Sequence, residues 1–114
     1  MIEYKSLEVK KSYLDYDSHP TIKKLVEWLS KRYKIVITQG YEKRDYYSVH
    51  SEIPFRGVDI RSWIYTDPQK VVEDINNNWS YDELRPEKMC AIYHDTGSGD
   101  HIHLQVHNNT RYIS

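Results

Sequence analysis

Between Asp100 and His107 the chain alternates polar and apolar residues: Asp100, His101, Ile102, His103, Leu104, Gln105, Val106, His107. A period of two is the signature of a half-buried β-strand, so Ile102, Leu104 and Val106 face a core. His101, His103, Gln105 and His107 share the opposite face. Upstream, Ile22, Leu25, Val26, Trp28 and Leu29 recur at three- and four-residue spacing, which predicts an amphipathic helix over residues 21–33. His19-Pro20 marks its start, with Ser18 or Thr21 as cap. Residues 34–38 switch to β-branched Ile35, Val36 and Ile37 and predict a buried strand, followed by an exposed loop over 42–47. Gly57-Val58-Asp59-Ile60-Arg61 alternates again, with Val58 and Ile60 inward and Asp59 and Arg61 on the other face. Thr66-Asp67-Pro68 opens a second helix through Val71, Val72 and Ile75 that fades at Asn76-Asn77-Asn78. Residues 88–94 form a further strand, joined to the histidine strand by turn formers as a hairpin. Residues 1–19 read as a short strand or irregular lead-in and 79–88 as a polar connection. After Asn108-Asn109 only a tail remains.

This order predicts one small α+β domain over residues 1–114, with a lead-in at 1–19 and a core at 20–107. Its small antiparallel sheet, carrying the C-terminal hairpin, is packed by two helices. With 16 basic and 17 acidic residues the net charge is −1, so no global basic field favours nucleic acid. Cys90 is the single cysteine, which excludes an internal disulfide and a multi-thiolate zinc site and suits a small buried side chain. The N-terminal Met1-Ile2-Glu3-Tyr4-Lys5 shows neither a signal peptide nor a membrane span, so the expectation is synthesis in a cytoplasm and action outside only on release. The aromatic set, 11 Tyr and 3 Trp against 1 Phe, suits partly wet surfaces, and Trp63, Tyr65 and Tyr93 read as core or cleft wall.

The polar face of the last strand carries three of the six histidines. Imidazole is the commonest metal ligand and the usual acid–base group near neutral pH. Two imidazoles at i and i+2 on a strand point the same way, so His101 and His103 can share an ion or a reacting group. A catalytic zinc site needs three ligands from His, Asp or Glu and an open position. His50 and Asp59 can complete such a set with His103. His107 lies roughly 13 Å from His103 along the strand, too far to share an ion. His94 reads as a cleft-lining or strand-end residue and His19 as a turn residue.

Ser48-x-His50, Gly57-Val58-Asp59 and the distal His101-x-His103 resemble the zinc peptidases related to D-Ala-D-Ala carboxypeptidases, lysostaphin-type endopeptidases and the Hedgehog signalling domain. The order of elements from about residue 20 to residue 107 also resembles that fold. The resemblance implies that His50, Asp59 and His103 bind Zn2+. It also implies that His101, or Asp100 in an Asp100-x-x-His103 arrangement, assists the attacking water. Strand parity favours His101, because Asp100 points to the other face unless the Gly99-Asp100 junction bends it inward. The implied activity is peptide-bond hydrolysis in peptidoglycan, of the D,D-carboxypeptidase or endopeptidase type. The stem peptide is then the substrate, with neither nucleic acid nor membrane as partner. Many phage cell-wall hydrolases and tail-associated proteins are built this way.

Three features depart from the pattern. Glu52-Ile53-Pro54-Phe55 lengthens the His50-to-Asp59 spacing by two residues relative to the common carboxypeptidase form. Relatives carry an arginine after the first core strand in a Gly-Tyr-Arg context; here the run is Gly40-Tyr41-Glu42, with Lys43 and Arg44 next, and Arg44 is the candidate. The short domain leaves any wall-anchoring module absent or on another chain. Two other classes compete. A non-catalytic zinc-stabilised binding domain would keep the ligands without hydrolysis. A His-hydrophobic-His single-strand nuclease would use His101-Ile102-His103 and Tyr112, the only downstream tyrosine, but leaves Ser48-x-His50 and Asp59 unexplained. A histidine-triad phosphohydrolase fails because Gln105 stands where the middle histidine belongs.

Overall fold

The computed structural model describes residues 2–43, 48–95 and 100–113. Its elements in chain order are β1 (Ile2–Tyr4), α1 (Leu7–Leu14), α2 (Pro20–Ser30), β2 (Ile35–Gln39), β3 (Gly57–Arg61), α3 (Pro68–Asn78), β4 (Trp79–Ser80), β5 (Ala91–Asp95), β6 (Asp100–Gln105) and β7 (Arg111–Tyr112). Five strands form one sheet in the order β1-β2-β3-β6-β5. The pair β1/β2 is parallel and the other pairs are antiparallel. The α+β class and the hairpin are therefore as the pattern predicts, but the sheet is mixed and three helices, not two, accompany it.

Helix α2 forms because Ile22, Leu25, Val26 and Leu29 line one face, and all four are fully buried. Pro20 suits its first turn, where its missing N–H is not needed. Its cap is neither Ser18 nor Thr21 but His19, whose Nδ1 accepts from the Thr21 backbone N–H. In α3 the Asp67 cap accepts from the Lys70 N–H, and Val71, Val72 and Ile75 are buried. These faces meet the inward side chains of the sheet, Val58, Ile60, Ile102 and Leu104, in a single core. Asn76 of α3 both donates to the Ala91 carbonyl and accepts from the Ala91 N–H, so the helix also ties down the edge strand β5.

The lead-in is more structured than the sequence pattern shows. Ile2–Tyr4 extends the sheet beside β2, and α1 follows, capped by Ser6. Tyr13 is the buried residue of α1, while Leu7 and Leu14 stay exposed, so the helix carries no clear apolar stripe. The polar connection and the tail likewise pair with each other. Trp79 opposes Tyr112 and Ser80 opposes Arg111, and the rings of Trp28, Trp79 and Tyr112 cluster at centroid distances of 5.5–6.1 Å. Tyr112, expected in a tail, is thus held in a ladder. Trp63, expected in the core or a cleft wall, is 72% exposed.

The lengthened segment after His50 is anchored at its far end by Phe55, which is fully buried. The Phe55 N–H donates to the Asp17 carbonyl, and the His19 N–H donates to the Phe55 carbonyl. Arg56 then braces the segment, donating to Glu52 at 2.7 Å and to the Val106 carbonyl at 3.1 Å. Among the described residues no helix is long and apolar enough to cross a membrane.

Phe55→Ala should destabilise the domain by about 3–5 kcal/mol, read from chemical denaturation midpoints; a change within measurement error would contradict the anchoring role. Burial also pushes the Cys90 thiol up to about 12. A thiol reagent should therefore leave the native protein unlabelled and react fully once it is unfolded, with rapid native labelling as the contrary result.

Candidate metal centre

Adjacent antiparallel strands β3 and β6 bring Asp59 opposite His103 and Arg61 opposite His101. Directly paired residues share a sheet face, so these four side chains project from the side away from the core. The inward residues between them, Val58, Ile60, Ile102 and Leu104, fix the register, because a one-residue slip would bury the polar set.

His50 reaches the same place from a turn. The Ser48 hydroxyl accepts from the His50 N–H at 3.2 Å, and the Ser48 carbonyl accepts from the N–H groups of Ser51 and Glu52. That is the physical content of the Ser-x-His spacing. The turn can approach β3 because Gly57 has no side chain. A Cβ there would lie 2.3 Å from Val49 Cγ2 and 3.4 Å from His103 Cε1.

The three groups converge on one oxygen. His103 Nδ1 lies 2.8 Å from Asp59 Oδ1, and His50 Nε2 lies 3.3 Å from the same atom. The two imidazole rings are T-shaped at 5.3 Å. One ligand atom from each of His50, Asp59 and His103 lies within 4.8 Å of the others, so this group can hold a metal ion.

The outer nitrogens are engaged. His50 Nδ1 lies 3.0 Å from the Gly40 carbonyl, to which it donates. His103 Nε2 donates to Gln105 Oε1 at 3.2 Å, and the Gln105 amide is oriented by its own donation to the Met89 carbonyl. Each ring thus has one nitrogen engaged away from the cluster and the other turned toward Asp59. Burial pushes the Asp59 carboxyl up, but hydrogen bonds and charge from His103 and His50 outweigh it and hold the group well below the usual carboxylate range. Were both facing nitrogens unprotonated, two lone pairs would meet an ionised oxygen and repel it. A shared positive charge closes such a site, either protons on the imidazoles or a metal cation, and the donor set fits the cation.

The structure also places the remaining predicted residues. His101 Nε2 lies 3.7 Å from Asp59 Oδ2, at the accessible edge of the cluster. Asp100 is exposed and accepts from the Tyr93 hydroxyl at 2.9 Å. His107 packs beside Tyr81, with ring centroids 6.4 Å apart, and stands apart from the three-ligand group. Burial, aided by the charges of Arg56 and Arg85, lowers its pKa below the ordinary imidazole value. Arg44, the His94 side chain and residues 96–99, where the hairpin loop was expected, lie outside the described residues.

Two contributors escape the sequence pattern. Gly40 supplies the carbonyl that orients His50, and it is itself gripped by α1: its N–H donates to the Ser12 hydroxyl, and the Tyr41 N–H donates to the Ser12 carbonyl. A Cβ on Gly40 would lie 2.8 Å from that carbonyl oxygen. Gln105 orients His103, and its only signal in sequence is its place on the histidine face. Comparison with protein-family models, with curated proteins and with solved structures finds no match.

Removing the Gln105 acceptor frees the His103 ring to turn. Gln105→Leu should weaken metal affinity about 10–100-fold in a chelator competition, with the fold intact by circular dichroism; unchanged affinity would contradict the orienting role.

Proposed function

We propose that this chain is a zinc-dependent hydrolase of peptide bonds, acting on the stem peptides of bacterial peptidoglycan. The observation that carries the reading is the convergence of His50, Asp59 and His103 on one point, with His101 beside it. Two imidazoles and one carboxylate, with no thiolate, form a donor set typical of hydrolytic zinc, leaving a position for water or substrate. Zinc bound there supplies a Lewis acid that makes water acidic near neutral pH and polarises the scissile carbonyl.

The chain's own residues do the rest. Gly40 and Gln105 each engage the outer nitrogen of His50 and His103 and so orient the rings, and Asp59 stays ionised between them. His101 Nε2 is positioned to take a proton from the attacking water and return it to the leaving amine. Asp100 stays in the β6 ladder on the parity of Ile102 and Leu104 and bonds the Tyr93 hydroxyl, so it is turned away from the cluster and the proton falls to His101. The choice of peptidoglycan rests on the resemblance of Ser48-x-His50, Gly57-Val58-Asp59 and His101-x-His103 to wall-cutting zinc peptidases. Action at a cell wall follows from that substrate.

Metal analysis of the purified protein should find one zinc per chain, lost in His50→Ala and in Asp59→Ala. Incubation with purified peptidoglycan should release new muropeptides, and His101→Ala should keep the zinc while slowing release about 10²–10⁴-fold. No stoichiometric zinc, or equal zinc in the variants, would overturn the metal centre. Bound zinc with unchanged muropeptides from several wall types would point instead to a non-catalytic binding domain.

A further inference from the structure

Arg61 ends β3 on the same face as Asp59 and directly opposite His101. Ser62, just past the end of the strand, is buried, and Trp63 follows in a turn at the surface. There the guanidinium carbon of Arg61 sits 4.7 Å from the centroid of the Trp63 ring. The indole is 72% exposed, so it is a platform at the surface rather than part of the core. Among the described residues no carboxylate pairs with Arg61. Asp59, two positions away on the same face, is engaged by His50, His101 and His103 instead. On the other flank of the cluster, Ile92 pairs with His103 across β5 and β6 and is 40% exposed, giving an apolar edge on the same face.

Stacking on an aromatic ring holds a guanidinium flat and leaves its edge donors available for a planar, bidentate acceptor. A carboxylate matches that fork. Residues two apart on a strand are about 7 Å apart, and an extended peptide advances about 3.5 Å per residue. A carbonyl bound over the His50–Asp59–His103 group would therefore place a carboxylate one or two residues further along within reach of Arg61.

We propose that Arg61, held by Trp63, binds the terminal carboxylate of the substrate peptide, so that the site removes one or two residues from a free C-terminus rather than cutting within a chain. This rests on the peptide-hydrolase reading of the adjacent centre.

The test uses the full chain with two probes, a short peptide ending in D-Ala-D-Ala with a free carboxylate and the same peptide as its C-terminal amide. Calorimetric titration of the metal-free protein should show at least about tenfold tighter binding of the carboxylate form. Arg61→Gln should bring the two affinities together, with zinc-binding capacity and thermal midpoint as in wild type. Equal affinities in wild type, no binding of either probe, or a preference that survives in Arg61→Gln would overturn the proposal. Hydrolysis by the zinc-loaded protein separates the two claims. If both peptides are cut at equal rates, the carboxylate subsite fails and the peptidase reading stands. A carboxylate preference in binding with neither peptide cut would leave the subsite standing and remove the peptidase reading.

Discussion

A buried carboxylate between imidazoles is the constraint on which the rest of this fold turns. Asp59 sits with its side chain only 14% exposed, and His50, His101 and His103 all approach it. A charge withdrawn from water is costly unless it is paired and hydrogen-bonded. The sheet register supplies one partner, the turn at Ser48 supplies another, and neither survives a shift of the backbone. Core packing behind β3 and β6 and site geometry in front of them are thus set by the same alternation of residues.

The long segment between His50 and Asp59 is pinned rather than free. Six residues separate His50 from Gly57, and such a segment would leave His50 loosely placed if it were free. Here Phe55 enters the core and Arg56 spans from Glu52 to the Val106 carbonyl, so His50 is held at both ends. On its other side His50 is oriented by Gly40, which is wedged against Ser12 of α1. The N-terminal helix therefore bears on the site without contributing a ligand.

Much of this was legible in the residues. The alternation from His101 to Val106, the β3 boundaries and the apolar faces of α2 and α3 follow from period alone, because each buries one face completely. Helix α1 was not legible, since its single buried anchor, Tyr13, gives no periodicity. Nor was the β4/β7 ladder, whose two-residue strands acquire meaning only when Trp28, Trp79 and Tyr112 meet in space. The grouping of His50, Asp59 and His103 came from motif resemblance and strand parity together. The orientation of their rings did not, because it depends on a backbone carbonyl at Gly40 and a side-chain amide at Gln105 that no spacing rule marks.

The proposed metal centre depends most directly on which ring nitrogens would face an ion. Long-range ¹H–¹⁵N spectra of the histidines, recorded before and after one equivalent of zinc, report this atom by atom. In the proposed centre zinc would be held through Nε2 of His50 and Nδ1 of His103, the nitrogens that face Asp59, with the opposite nitrogens donating to Gly40 and Gln105. Histidine resonances that do not respond to zinc, or coordination through the outer nitrogens, would contradict it.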